Sequence, residues 1–228
     1  MLNYEIPQAV LEPLVPKHTV LDLFHGRALA SIVGFRFLDT RVLGVPVPFH
    51  RDFDEVNLRF YVKRPMPDGS ERRGAVFVRE LVPRAAIAYT ARAFYNEPYT
   101  ALPMHSRVPP VLMSSPGRLM YGWFGNAQHQ QVSVTAVGDP EPLVPGSESE
   151  FIAEHYWGYT PQRDGSTVEY QVAHPSWRVW QAEAPSFEAD VRGLYGAAFE
   201  VPLSTPPRSM FVAEGSRVTV YRPTRLPR

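Results

Sequence analysis

The chain has 228 residues and a formal net charge of +0, with 23 basic and 23 acidic side chains. No basic excess of the kind that phosphate backbones select is present, so a nucleic-acid partner is not expected. Cysteine is absent, which excludes disulfides, thiol nucleophiles and thiolate metal sites.

The start, MLNYEIPQAVLEPLVPKH, lacks the basic segment, apolar run and small-residue cleavage site of a signal peptide. No window approaches 18 uninterrupted apolar residues, so no membrane span is expected. The expectation is a cytoplasmic protein. Of the cations 21 are Arg and only Lys17 and Lys63 are Lys, so a lysine mechanism has two candidates. The basic tail with Arg222, Arg225 and Arg228 reads as a solvated terminus.

In chain order, TVLDLF (19–24), RALASIVGFRF (27–37) and EVNLRFYV (55–62) read as strands. Asp68-Gly69 then marks a hairpin, because Asp-Gly supplies the positive φ that tight turns need. Pro83 opens a helix predicted over 83–96. RLMYGWF and QQVSVTAV are further strands. Ser147 followed by Glu150 is a capping box before a short helix. Asp164-Gly165 marks a second hairpin, WRVWQAE a strand, and SFEADVRGLYG a helix ending at Gly196. Glu214-Gly215-Ser216 closes the last pair of strands. The 24 Pro and 15 Gly are spread evenly, so residues 1–228 read as one mainly β domain with a few helices.

EVNLRFYV alternates strictly. Glu55, Asn57, Arg59 and Tyr61 point one way, and Val56, Leu58, Phe60 and Val62 the other. Such a polar face usually meets water. The alternative is a barrel whose outer face carries helices while polar residues line a lumen. QQVSVTAV and STVEYQVAH alternate in the same way.

Metal chemistry has one weak candidate, HRDFDE, which groups His50, Asp52, Asp54 and Glu55 without an established ligand spacing. No metal or other cofactor is expected. The G-x-S-x-G, G-x-G-x-x-G, phosphate-loop and H-E-x-x-H signatures are all missing. His155, Tyr156, Trp157, His174 and Trp177 read as packing residues, and Arg79 or Glu80 as the end of a strand or the cap of a helix.

The segments YEIP, LDLFHGRALASIVGFRF, RVLGVPVP, EVNLRFYV, GAVFVREL, ARAFYNEPY, HYWGYT and HPSW resemble, in order, the YqjF-like family of uncharacterised bacterial proteins. That family sits in the acetoacetate-decarboxylase-like superfamily. The resemblance implies a closed antiparallel barrel with helices outside and a pocket within. It admits a homo-oligomer, although no segment reads as an interface.

The decarboxylase relatives form a Schiff base through the first Lys of a segment running Gly-Arg-Glu, four residues, then Pro-Lys-Lys. ARAFYNEPYT resembles it with Arg92 and Pro98 in register, which places Tyr99 and Thr100 at the two lysine positions. A phenol cannot form an imine, which needs a primary amine. Glu55 falls, more loosely, near the relatives' active-site carboxylate.

These residues leave three readings. The first is a protein that holds a small carboxylate- or carbonyl-bearing molecule in its lumen without Schiff-base chemistry. The second is a lysine-free enzyme of lyase or hydratase type on small oxo or hydroxy acids. There Glu55 is the acid/base, Tyr99 stabilises an oxyanion, and Arg59 anchors a carboxylate. Asn57 and Tyr61 share that face, and His105 is placed at the pocket mouth. The third is a structural or partner-binding barrel with a filled lumen. Whether the protein is an enzyme stays open on the residues alone.

Overall fold

Tight turns at Gly69 and Gly165, with φ of 82° and 81°, close two antiparallel hairpins as the Asp-Gly placements predict. The turn at Gly215, with φ of 73°, by contrast closes none: Ser209–Ala213 pairs with Leu2–Glu5 and Arg178–Glu188, and Thr219–Val220 pairs with Thr167–Ala173. A computed structural model describes residues 1–42, 45–46, 52–85, 96–109 and 117–228. Its longer elements are β1 (Leu2–Glu5), α1 (Gln8–Leu11), β2 (Arg27–Phe37), β3 (Phe53–Pro65), β4 (Glu71–Val82), β5 (Tyr99–Ala101) and β6 (Met104–Arg107). They continue as β7 (Gly117–Gly125), β8 (Gln128–Pro142), α2 (Glu148–Ala153), β9 (Trp157–Pro161) and β10 (Thr167–Ala173). The last are β11 (Arg178–Glu188), α3 (Val191–Tyr195), α4 (Glu200–Ser204) and β12 (Ser209–Ala213). The predicted helix over 83–96 lies almost wholly outside the described residues.

The capping box at Ser147 and the helix end at Gly196 form as predicted, but that second helix is shorter than SFEADVRGLYG, because residues 186–188 belong to β11. Ser147 accepts from the Glu150 backbone N–H at 3.2 Å, while the Glu150 carboxylate takes the Gly146 N–H at 2.6 Å. Asp190 caps α3 through the Gly193 N–H at 2.9 Å, and Gly196 follows its end with φ 98°.

Hydrogen-bonded neighbours run β6-β7-β8-β11-β12-β1-β2-β3-β4-β9-β10, with Thr219–Val220 beyond β10. All these pairs are antiparallel except β4 with β9, and β5 runs parallel beside β4. The expected closed barrel is not completed: among the described residues no ladder joins β6 to the β10 end. Instead the sheet curls, and Arg36 of β2 donates to Ser106 of β6 at 2.8 Å.

Inside the curl lies the main core. Val56, Leu58, Phe60 and Val62 of β3 meet Leu119, Tyr121 and Trp123 of β7 and Val132, Val134 and Ala136 of β8. Burying each of the larger aliphatic and aromatic side chains contributes about 1.5–3 kcal/mol. The polar row of β3 therefore faces the other way. Glu55, Asn57 and Tyr61 are 1, 2 and 1% exposed, so this face is shielded from water as the buried reading requires. It is not the apolar interior, however. Tyr61 packs in a separate cluster with Phe151 and Ile152 of α2, and β5 flanks the Glu55 end.

One irregularity sets which side chains share that layer. Leu58 pairs with Arg79 but Arg59 pairs with Phe77, so Val78 is an extra residue in β4. The bulge reverses the phase of β4 beyond it. Val76 faces the core opposite Phe60, whereas Glu80 falls opposite Asn57 on the polar face.

Candidate functional site

Above the bulge, β3, β4 and β5 bring Glu55, Asn57, Glu80 and Tyr99 onto one face. Glu80 lies between Asn57 on β3 and Tyr99 on β5 in the ladder. Glu55 accepts from Asn57 Nδ2 at 2.9 Å through Oε1 and from the Tyr99 hydroxyl at 3.2 Å through Oε2. Glu97, two residues before Tyr99, accepts from the Tyr170 hydroxyl at 2.7 Å. Tyr170 lies flat across its β9 neighbour because that neighbour is Gly158. A Cβ there would stand 2.1 Å from Tyr170 Cζ. Glu55, Asn57 and Glu80 are buried, while Glu97, Tyr99 and Tyr170 keep partial exposure. The cluster thus has a dry floor and a wetter rim.

This crowding of acids sets their protonation. Burial raises the Glu55 carboxyl from its ordinary 4.5 to about 7; the Asn57 hydrogen bond opposes the rise, and the Glu97 charge adds to it. Burial likewise raises Glu97 to about 7, against its bond from Tyr170. Glu80 is pushed well above the carboxylate range by burial and then by the charges of Glu97 and Glu55. Burial, followed by the neighbouring carboxylates, holds Tyr99 well above the usual phenol value, so it remains a donor. Two buried oxygens, Asn57 Oδ1 and Glu80 Oε2, have no hydrogen-bond partner among the described residues. Such atoms are costly in a finished core.

The other expected residues are placed as follows. Arg59 is half-buried beside the cluster and forms no ion pair with Glu55. Its NH2 donates to the Ile152 carbonyl of α2 at 3.5 Å, and its buried Nε lacks a partner among the described residues. Tyr61 is turned away into a structural relay. Its hydroxyl bonds Ser31 Oγ at 2.6 Å, Ser31 donates to Asn3 at 2.7 Å, and Asn3 to Ser209 at 2.9 Å. His105 is not at the mouth of this cluster: it is exposed on β6, 3.3 Å from His129. Thr100 lies near Arg79, at 3.4 Å.

Neither lysine joins the site. Lys17 is exposed and Lys63 pairs with Glu71 at 2.8 Å. Arg92 and His50 lie outside the described residues. The HRDFDE carboxylates diverge: Asp52 takes the Asp39 N–H, Asp54 pairs with Arg36 at 2.8 Å, and Glu55 joins the cluster. Among the described residues no group of three or more His, Asp or Glu side chains has metal-holding geometry. Glu80, Glu97 and Tyr170 are the members that sequence reasoning missed. For Glu97 the signal was present, one residue before Pro98 in ARAFYNEPYT.

A family model described as an uncharacterised conserved protein, COG2071, matches residues 1–217. The chain belongs to the DUF2071 family. No curated protein matches it in sequence. Among solved structures, this DUF2071 chain is similar to an acetoacetate-decarboxylase-like enzyme from Sphingomonas wittichii RW1. The two share a TM-score of 0.61 at 13% identity, over 99% of this chain and 89% of that one. The enduracididine biosynthesis enzyme MppR complexed with pyruvate gives 0.59 at 13% identity, over 95% and 86% of the two chains. Acetoacetate decarboxylase from Legionella pneumophila gives 0.55 at 14% identity, over 86% and 74%. At these identities the likeness shows the fold, which is mainly β and acetoacetate-decarboxylase-like.

Proposed function

We propose that the Glu55–Tyr99 pair is the acid/base centre of a site for a small carbonyl compound, working by proton transfer without a Schiff base. The observation that carries this reading is a buried carboxyl poised near neutrality and hydrogen-bonded to a protonated phenol. Ionised Glu55 takes a proton from the carbon next to the ligand carbonyl. The electron pair moves to the carbonyl oxygen, and the Tyr99 hydroxyl, turning from the now protonated Glu55, donates to the resulting enolate oxygen. Protonated Glu55 returns the proton to complete the exchange.

Arg59 is the anchor for a ligand carboxylate, since its Nε is buried on the same strand face without a partner among the described residues. A small 2-oxo acid meets both requirements, and pyruvate, which is bound in the MppR complex, is the natural first probe. The absence of lysine from the described cluster supports a route that forms no imine.

The experiment is exchange of the pyruvate methyl protons in D2O, followed by NMR. Wild-type protein is expected to accelerate it, and Glu55→Gln and Tyr99→Phe to reduce that acceleration by about 10²–10⁴-fold and by a smaller factor respectively. No acceleration over buffer by folded wild-type protein would contradict the reading. One observation favours a second, non-catalytic reading: the inside of the curled sheet is filled with apolar side chains. On that reading the acid cluster is a binding or structural device alone.

A further inference from the structure

A second constellation stands on β6, β7 and β8, away from the acid cluster. His105 on β6 and His129 on β8 approach each other across β7, with their Nε2 atoms 3.3 Å apart. Gly122 of β7 is paired with His105 and lies diagonally from His129, whose own β7 partner is Phe124. A Cβ at Gly122 would stand 2.5 Å from His105 Cε1 and 2.9 Å from His129 Nε2. Only glycine lets both imidazole edges converge over the strand. Phe124, itself 49% exposed, packs against both rings, with centroids 5.9 Å from His105 and 5.3 Å from His129.

We infer that His105 and His129 form a two-histidine site for a borderline-soft divalent metal ion, of which zinc(II) is the type. Two zinc–nitrogen bonds of about 2.0–2.1 Å at the tetrahedral angle set the nitrogens about 3.3–3.4 Å apart, which is the separation observed. The same distance is long for a nitrogen–nitrogen hydrogen bond. Imidazole nitrogens select zinc, nickel and copper over the oxygen-seeking magnesium and calcium. Two protein ligands leave the remaining positions to water or an added ligand. Glu188 of β11 stands opposite Gln131 of β8 and accepts from its Nε2 at 3.1 Å, so a carboxylate lies beside the residue two along from His129. Metal bound here ties the edge strand β6, which follows Tyr99–Ala101 in the chain, onto the β7–β8 hairpin.

The test is equilibrium dialysis of the full chain against zinc(II) in a non-chelating buffer, with nickel(II) and magnesium(II) run in parallel. One zinc per chain is expected. Affinity should fall at least tenfold in His105→Ala and in His129→Asn, with the double variant little worse than either. Gly122→Ala keeps both ligands and is expected to lose binding as well. Thermal unfolding of each variant without metal shows whether it is folded, and only folded variants are compared. Absence of zinc binding at millimolar metal, binding undiminished in both histidine variants, or magnesium bound as well as zinc would each overturn the assignment.

Discussion

Tyr99 and Glu55 are 44 residues apart in sequence, yet the Tyr99 hydroxyl donates to Glu55 Oε2 at 3.2 Å. The contact forms because β5 lies parallel to β4 in the register that sets Tyr99 beside Glu80, while β4 holds β3 on its other edge. This bond favours the ionised carboxylate, so it works against the burial that raises Glu55. In Tyr99→Phe the Glu55 pKa should therefore move further up. Carbon-13 NMR of the carboxyl groups, with Glu55→Gln to assign the signal, checks the direction; a downward move would refute it.

Stability should depend on pH through the same acids. Glu55 and Glu97 carry folded-state values of about 7 against an ordinary 4.5. Each binds its proton more tightly when folded. Its contribution is therefore complete below about pH 4.5 and is lost as pH rises through about 7. Burial holds the Met1 amine at about 5 and His155 at about 4, and these act in the opposite sense, so the Glu55 share is read as the difference between wild type and Glu55→Gln. The variant should gain in melting temperature relative to wild type as pH rises from 5 to 8. A difference that moves the other way would contradict the burial of Glu55.

Glu80 is buried beside Glu97, Glu55 and Tyr99, and its Oε2 has no hydrogen-bond partner among the described residues. Glu80→Gln removes a group whose charged form is disfavoured there. Denaturant unfolding near pH 8 should show it equal to or more stable than wild type. A loss of several kcal/mol would mean that the carboxyl has partners that its surroundings do not supply.

Glu169 presents the opposite case. It is 3% exposed at its side chain and accepts from Arg64 at 2.9 Å and Arg72 at 2.6 Å. Glu169→Ala leaves two guanidinium groups facing each other without their anion. A loss of about 3–5 kcal/mol is expected from urea unfolding. A loss below about 1 kcal/mol would place the pair with ordinary surface bridges.

Tyr61 separates structure from chemistry on one strand. Its hydroxyl serves the relay through Ser31 to Asn3. Tyr61→Phe should cost about 1–3 kcal/mol of stability by leaving buried partners short. It should leave proton exchange on pyruvate unchanged per folded molecule. A selective loss of exchange would bring Tyr61 back into the site.

Much of the frame was legible. Asp-Gly turns, the Ser147 cap, the helix end at Gly196 and the alternation of EVNLRFYV are local signals, and local physics decides them. The burial of the Glu55 row was legible only through the family resemblance, because alternation alone does not say which face meets water. Glu80 was hidden by the bulge at Val78. Strict alternation from Val76 places it on the core face, and one extra residue reverses that phase. Tyr170 was hidden for a related reason. Its strand was read with Thr167 and Glu169 as the polar face, yet both are buried, and Tyr170 on the apolar-looking face reaches Glu97. The closed barrel is not completed among the described residues, where no ladder joins β6 to the β10 end and β6 meets β2 through the Arg36 and Ser106 side chains. His105 was assigned by nearness in sequence to Tyr99, but the chain carries it to β6 and an exposed partnership with His129.

The measurement that bears most directly on the proposed acid/base centre is the pH dependence of methyl-proton exchange in pyruvate, from pH 5 to pH 9, with wild type and Glu55→Gln. If ionised Glu55 is the base, the wild-type rate should rise through a midpoint near 7 and level off, and the variant should lose both the rise and most of the rate. Exchange that is absent in wild type, or that follows the same profile in Glu55→Gln, would contradict the assignment of proton transfer to this cluster.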